Sequence, residues 1–274
     1  MPRTTDRQGN GETAEAAGPR AVLRVLEVLM ALASKPGGSS LAELAPRLSV
    51  PKTSLHRLLR TLERGGYLTS RDGNYQLGPA SFHLASVLGS AAPSTAFPAC
   101  ARPVIEQLAR DSRETVMLGV LLEDRPEILY IDVIDSQAPV RFSVPIGDLR
   151  PLYSAASGKA VLAYMAPEAQ RAYLDTTRFE KFTPNTTGRK DLPAQLEEAR
   201  RSAVAFDGNG REQGAGALAS PIFDAGGRAF ASVSVAGPTE RIVANRPQLE
   251  PLVRTAGERI SRLLGFAGDY PPPA

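Results

Sequence analysis

Residues 51–64 constrain the fold and the function of this chain more than any other stretch. Their apolar members recur at i, i+3, i+4 and i+7, which places along one side of an α-helix Leu55, Leu58, Leu59 and Leu62. The opposite side is basic and hydroxyl-bearing, with Glu63 as its single acid. Pro51 suits a first helical turn, and Gly65-Gly66 favours a helix end. A DNA recognition helix has this pattern, but so does a surface helix with a solvated basic face.

The segments around this stretch favour the DNA-binding interpretation. Within residues 20–90, a first helical pattern precedes a capping box, Ser40 and Glu43, which opens a short second helix. Only a few residues separate that helix from the basic one, as in a helix-turn-helix. Two alternating segments around Asp72-Gly73, a turn dipeptide, predict a hairpin that would form the wing. The same range carries nine basic and four acidic residues, a net charge of +5 that suits contact with phosphates.

We predict that the basic helix face and the tip of the wing contact DNA. The side chains expected to read the major groove are Thr53, Ser54, His56, Arg57 and Arg60. Those expected to hold the phosphate backbone are Lys52, Arg64 and Arg71.

Beyond residue 113 the apolar period changes from that of helices to that of strands. Strands are predicted at 115–122, 128–134, 140–144, 218–223 and 228–235. Helices are predicted at 80–90, 97–111, 154–165, 167–174, 192–203 and 246–264. Two glycine-rich stretches, 208–210 and 214–216, are interpreted as flexible loop because neither completes a dinucleotide-binding fingerprint. Antiparallel strands with helices on one face and at the ends indicate an α+β domain built to bind a small molecule.

The sequence offers little for catalysis or metal binding. Cys100 is the only cysteine, and both histidines, His56 and His83, lie in the N-terminal part. We therefore expect no catalytic residue, no cofactor and no metal site. Residues 157–160 lack the upstream glycine of a nucleotide-binding loop. The alternative that remains is an enzyme acting on a small carboxylate, with a vestigial helix-turn-helix and, as candidate pairs, Ser157 with Lys159 or Asp207 with Arg150.

The chain shows no signal for a membrane. No apolar run approaches the ~20 residues that span a bilayer. Residues 1–18 are polar, rich in Gly and Ala, and lack the apolar core of a signal peptide. A cytoplasmic protein without membrane contact is expected.

Several short motifs follow one another in order along residues 20–265. They are RAVLRVL (20–26), TSLHRLL (53–59), ERGGYL (63–68), YQLG (75–78), ETV (114–116), PIG (145–147), SAASGKAVLA (154–163), ASPIFD (219–224) and SVAGP (234–238). In this order and at this spacing they resemble the IclR family of bacterial transcriptional regulators.

The resemblance implies an α+β chain with an N-terminal winged helix-turn-helix domain, a linker helix and a C-terminal GAF-like α/β effector-binding domain. The corresponding ranges are a disordered tail at 1–19, the three parts at 20–78, 79–95 and 96–266, and a second tail at 267–274. It also implies a double-stranded DNA operator, a small organic or aromatic acid as effector, and homodimers that pair into homotetramers. Whether operator binding represses or activates depends on where the operator lies relative to the promoter.

The family also implies where the effector binds. The matching positions in this sequence are Met117, Phe142, Arg150, Ala156, Ser157, Asp207, Ala217, Ser234 and Ala236. Some family members carry a cysteine in place of Ala217 and a serine in place of Ala236, so we expect a larger, less polar acid than a two- or three-carbon keto acid. The hydroxyls of Ser157 and Ser234, with backbone N–H groups at the start of a helix, are the expected donors. Arg150 is either the partner of the effector's carboxylate or a solvated loop arginine.

Overall fold

The computed structural model describes residues 17–35, 37–91, 97–122 and 125–272. They form two compact units, which divide after residue 91. The N-terminal unit has one buried apolar cluster, and the C-terminal unit has two.

The N-terminal unit combines helices with a small antiparallel sheet. Its helices are α1 (Ala17–Ala33), α2 (Leu41–Arg47), α3 (Lys52–Arg64) and α4 (Pro79–Ala91). Its strands are β1 (Ser39–Ser40), β2 (Leu68–Arg71) and β3 (Asn74–Leu77), in the sheet order β1-β3-β2. Helix α1 starts earlier than the predicted residue 20, and the two-residue strand β1 is too short to leave a periodic signal in the sequence.

Local chemistry fixes the ends of the short helices. The predicted capping box is present at α2, where the Glu43 N–H donates to Ser40 Oγ at 3.3 Å and the Ser40 N–H donates to Glu43 Oε2 at 2.9 Å. Pro51 occupies the N-cap position of α3 rather than its first turn, so the helix begins at Lys52. After α3 only Gly66 adopts a positive φ, 73°, while Gly65 stays at −77°.

The leucine stripe of α3 forms the centre of the N-terminal core. Leu55 and Leu59 are fully buried and Leu62 nearly so, whereas Leu58 is half-buried. They share one cluster with residues of α1, α2 and the sheet, among them Val28, Leu32, Leu44, Leu68 and Tyr75. The apolar side of α3 therefore faces the core, which leaves its basic side to solvent.

The C-terminal unit is built around a six-stranded antiparallel sheet. Its helices are α5 (Arg102–Ser112), α6 (Ala156–Leu162), α7 (Pro167–Thr176), α8 (Leu192–Ser202), α9 (Thr239–Ala244) and α10 (Arg246–Leu263). Its strands are β4 (Thr115–Leu121), β5 (Glu127–Ile134), β6 (Leu149–Pro151), β7 (Ala205–Gly208), β8 (Ala215–Phe223) and β9 (Ala229–Pro238). They lie in the order β6-β5-β4-β9-β8-β7.

Both faces of this sheet are covered by helices. Side chains alternate between the faces along each strand, so neighbouring residues pack against different helices. Val116 and Leu118 of β4 belong to the cluster that contains buried residues of α5 and α10. Met117, between them, belongs to the cluster that contains residues of α6, α7 and α8. The face toward α6 also carries the cavity described below.

The structure corrects several predictions for this unit. The strand predicted at 140–144 is wrong, because that segment is irregular, whereas β5 pairs at its edge with β6. The glycine-rich stretches predicted to be flexible are partly strand, since Gly208 ends β7 and Gly216 lies within β8. Strands β6 and β7 and helix α9 were not predicted; they contain three, four and six residues.

The core extends past residue 266, into the predicted C-terminal tail. Tyr270 is 8% exposed, its ring packs edge-on against Phe223 at 5.6 Å, and its hydroxyl lies 2.7 Å from Ser220 Oγ. Burial raises the pKa of this phenol above its ordinary value. An aromatic anchor of this kind explains why the chain stays packed after α10.

Candidate functional site

The basic side of α3 is exposed along its whole length. Every side chain predicted to contact DNA is classed as exposed: Lys52, Thr53, Ser54, His56, Arg57, Arg60, Arg64 and Arg71. Arg60 forms an i, i+3 ion pair with Glu63 at 3.2 Å. Within the described residues, Arg57 has no carboxylate partner, so its guanidinium is available to a ligand.

The predicted wing is present as the hairpin of β2 and β3. Its tip, Asp72-Gly73, has positive φ at both residues, 51° and 75°, as a two-residue hairpin turn of the favoured hand requires. Arg71 stands opposite Asn74 at the last pair before the turn. The wing thus carries one exposed arginine next to its tip.

The C-terminal unit contains a cavity with about 420 Å³ of empty space, counting its opening to solvent. All nine residues predicted to bind the effector line it: Met117, Phe142, Arg150, Ala156, Ser157, Asp207, Ala217, Ser234 and Ala236. Six further residues, which the sequence did not single out, complete the wall: Tyr130, Ala155, Arg211, Glu212, Ala215 and Gly216. Arg211 and Glu212 lie between the two glycine-rich stretches that were interpreted as flexible loop.

The two predicted serine donors already have partners inside the protein. Ser157 Oγ lies 2.9 Å from the Tyr130 hydroxyl, and Ser234 Oγ donates to the Met117 carbonyl at 3.4 Å. Burial raises the pKa of Tyr130 above its ordinary value, so the phenol is neutral at physiological pH. Each serine oxygen keeps a lone pair, so both can accept a hydrogen bond from a ligand hydroxyl; Ser234, whose only proton is donated to Met117, has none left to donate.

Arg150 is buried in β6 rather than solvated. It is 8% exposed, and its Nη2 lies 2.6 Å from Asp148 Oδ2 and 3.0 Å from Glu212 Oε1. Of the two alternatives for this residue, the solvated loop arginine is wrong. Two carboxylates already lie within 3.0 Å of its guanidinium, so its charge is offset within the cavity wall; that it binds the effector's carboxylate stays a prediction.

A second ion pair joins Asp207, which lines the cavity, to Lys159. Lys159 and Asp207 are 1% and 7% exposed, and Lys159 Nζ donates to Asp207 Oδ1 at 2.7 Å. Asp207 Oδ2 accepts the Gly210 N–H at 3.2 Å. These partners exclude the pairs required by the enzyme alternative, because Ser157 bonds to Tyr130 and Lys159 bonds to Asp207.

Other chemistry is sparse in the described ranges. No group of three or more His, Cys, Asp and Glu side chains is placed there to hold a metal ion. Cys100 is half-buried in a 3-10 turn, and burial raises the pKa of its thiol. No helix in those ranges is both long and apolar enough to cross a membrane.

A winged helix-turn-helix in one unit and a cavity-bearing α+β fold in the other define a class of DNA-binding transcriptional regulators. The sequence model of the IclR helix-turn-helix domain matches residues 21–72. That of the C-terminal domain of bacterial transcriptional regulator IclR matches residues 91–262. The chain belongs to the IclR family of bacterial transcriptional regulators.

Individual relatives agree with this assignment. The transcriptional repressor IclR of Escherichia coli strain K12 is 30% identical over 250 residues, 90% of each chain. An IclR transcriptional regulator from Alicyclobacillus acidocaldarius has a TM-score of 0.78 at 27% identity, over 90% of this chain and 99% of its own. An IclR homologue from Microbacterium hydrocarbonoxydans, solved in complex with 4-hydroxybenzoate, shares the fold with a TM-score of 0.71 at 22% identity, over 89% and 98%.

These matches confirm the predicted family and fold class. The chain is a DNA-binding transcriptional regulator of the IclR type, and the enzyme alternative is set aside because its relatives are regulators that carry the same two domains.

Proposed function

We propose that this protein binds a pseudo-palindromic operator through α3 and the wing, and that a small organic or aromatic acid in the C-terminal cavity controls this binding. The observation that carries the proposal is one chain with both an exposed basic helix face and a separate, lined cavity. Because the operator is chromosomal, the protein acts in the cytoplasm.

Side chains on α3 and on the wing divide by their chemistry into two roles. Thr53, Ser54, His56, Arg57 and Arg60 enter the major groove, where hydroxyl, imidazole and guanidinium groups reach base edges. Lys52, Arg64 and Arg71 hold phosphates on either side. The burial of the leucine stripe supports this division, since it leaves the seven side chains of α3 on the exposed surface, and Arg71 is exposed on the wing.

A homodimer is the proposed binding unit, and two dimers pair into a tetramer. The surface of helix α1 supports the dimer. It exposes apolar side chains that contact with a second copy would remove from water: Val22, Leu23, Leu26 and Met30. Two copies would then present their α3 helices about one helical turn apart, ~34 Å, to successive major grooves.

The proposed effector is an acid with an apolar body. Met117, Phe142, Ala217 and Ala236 supply apolar wall, and two of them are methyl groups where some family members carry polar side chains. The Microbacterium fold neighbour holds 4-hydroxybenzoate, which makes that acid a practical first probe. If only glyoxylate- or pyruvate-sized acids raised the melting temperature, the larger-acid proposal would be wrong.

A salt titration tests the proposed function directly. We expect DNA flanking the protein's own gene to bind ~10³-fold more tightly than random DNA of equal length near physiological salt. The affinity should fall steeply with salt, because bound phosphates release counterions. An effector acid should shift operator affinity, because it binds the DNA-competent and incompetent states unequally. Equal, weak binding of both DNAs, with and without candidate acids, would overturn the proposal.

Two arginine variants should separate base reading from phosphate holding. Arg57→Ala is expected to cost about 1–3 kcal/mol on the operator and to relax specificity at one base pair. Arg71→Ala should weaken all sequences alike and reduce the salt dependence. Binding to a set of single-base operator variants, measured at two salt concentrations, distinguishes the two patterns. Losses of the same pattern for both variants would contradict these roles.

A further inference from the structure

The cavity wall contains two arginines that differ in their partners. Arg150 is held by Asp148 and Glu212, at 2.6 and 3.0 Å. Arg211 lines the same cavity, but in the part of the chain that the structure describes it pairs with no carboxylate, and its Nε is buried without a hydrogen-bond acceptor. A buried cationic donor without an acceptor is unfavourable, and a carboxylate in the cavity would supply one.

The guanidinium of Arg211 is held in place by an aromatic ring. Its Cζ lies 3.7 Å from the centroid of the Phe182 ring. Stacking on an aromatic face fixes the plane of a guanidinium while leaving its edge free to donate. Arg211 therefore needs little reordering to bind a planar carboxylate through two parallel N–H groups.

Hydrogen bonds between two loops fix the backbone on which this pair sits. Thr183 Oγ1 donates to the Asn209 carbonyl at 2.5 Å, and Thr186 Oγ1 donates to the Gly210 carbonyl at 2.6 Å. Thr186 Oγ1 also accepts the Phe182 N–H at 3.0 Å. The same threonine thus positions both the ring and the residue that precedes Arg211.

The charge of the Asp207 carboxylate, which also lines the cavity, is offset by groups of the protein, and this reduces its repulsion of a bound anion. These groups are Lys159, at 2.7 Å, and the Gly210 N–H, at 3.2 Å. A Cβ at Gly210 would lie 2.3 Å from Asp207 Oδ1, so a glycine is required for this close approach. The arrangement leaves Arg211 as the lining cation whose charge no described carboxylate offsets.

We propose that Arg211 binds the carboxylate of the effector, and that Arg150 ties the wall through Glu212 instead. The inference rests on the proposed effector function and names the residue that selects acids over neutral ligands. Arg211 is absent from the nine positions matched to the family, and it lies in the segment between β7 and β8.

The test compares an acid with its uncharged amide. Full-length protein is titrated calorimetrically with 4-hydroxybenzoate and with 4-hydroxybenzamide, which has the same ring and hydroxyl. The wild-type protein should bind the acid at least ~10-fold more tightly, as expected for a charge-assisted, two-bond contact. Arg211→Met should remove most of this preference: the acid loses ~10-fold or more, and the amide less than ~3-fold.

Arg189→Met is the matched control. Arg189 also lies over a ring, with its Cζ 5.3 Å from the Phe179 centroid, but it does not line the cavity. This variant should leave both affinities unchanged. If Arg211→Met lowers the melting temperature by more than a few degrees, Arg211→Lys gives the same comparison with the charge kept; loss of the planar fork should still weaken the acid more than the amide.

Two outcomes would overturn the proposal. One is a wild-type protein that binds the acid no more tightly than the amide; the other is an equal loss of both ligands in Arg211→Met and Arg211→Lys, which a purely structural role would produce. Operator affinity is also measured on the same samples without acid. This measurement distinguishes failure of the role of Arg211 from failure of the proposed function. If operator binding is intact but either of these two outcomes is found, only the role of Arg211 is refuted.

Discussion

Replacing Lys159 by methionine is expected to lower the free energy of unfolding of the C-terminal unit by about 3–5 kcal/mol. The ion pair that Lys159 forms with Asp207 is almost completely buried, with side chains 2% and 8% exposed. Removing Lys159 leaves the buried Asp207 carboxylate with the Gly210 N–H but without a cation, which costs more than the pair itself contributed. Methionine keeps the length and volume of the lysine stem, so loss of packing contributes little.

Hydrogen exchange of the β8 and β9 amides is the appropriate measurement, because a chain with two units need not unfold in one step. Lys190→Met, at an exposed position of the same unit, should change protection little. The double variant Lys159→Met with Asp207→Leu should recover much of the loss, since an apolar pair avoids the buried charge. If Lys159→Met and Lys190→Met had equal effects, the ion pair would not stabilise this unit.

Replacing Leu55 by alanine should destabilise the N-terminal unit by about 2–5 kcal/mol. Leu55 is fully buried at the centre of the cluster that joins α1, α2, α3 and the sheet. A unit of this size has little stability to spare, so the recognition face should be lost with the fold near 37 °C. Operator binding should therefore disappear, although none of the side chains proposed to contact DNA has been changed.

Leu58→Ala provides the comparison within the same helix. Leu58 is half-buried, so its truncation removes less contact and should cost clearly less. Binding is measured at 10 °C and at 37 °C, together with exchange protection of the α3 amides. Equal effects of the two substitutions, or full operator binding by Leu55→Ala at 37 °C, would contradict the assignment of α3's buried side.

The sequence predicted the N-terminal unit almost completely, because its signals are local. The leucine stripe of α3, the capping box at Ser40 and the turn at Asp72-Gly73 each act within a few residues. The strand β1 was missed because its two residues are held by pairing with β3, a contact that lies far away in sequence.

In the C-terminal unit, pairing with a neighbouring strand determines which short segments form strands, and the apolar period alone does not show this. The segment 140–144 looks like a strand by composition, but the free edge of β5 pairs with β6, which contains Arg150 and a proline. Strand β7 has only four residues and ends where a glycine-rich stretch begins, at Gly208; it is defined by pairing with β8. Propensity is a weak guide where a strand of three or four residues depends on its neighbour.

For the cavity, the resemblance to a family supplied nine positions, and the structure brings all nine together. Their role in binding stays a prediction until a ligand is measured. The sequence could not predict which side chain each charged residue of the cavity wall contacts. That Arg150 is tied to Asp148 and Glu212, while Arg211 lies over Phe182, depends on loops that meet only in the folded chain.

The alternation along the central strands has a consequence for ligand preference. Met117, Ala217, Ser234 and Ala236 face the cavity, whereas their sequence neighbours Val116, Leu118, Leu218, Val233 and Val235 pack in the opposite core. Under the proposed function, ligand choice and scaffold integrity therefore depend on alternate residues of the same strands. Substitutions at the cavity-facing positions would then change the ligand preference while the residues of the opposite core keep the scaffold unchanged.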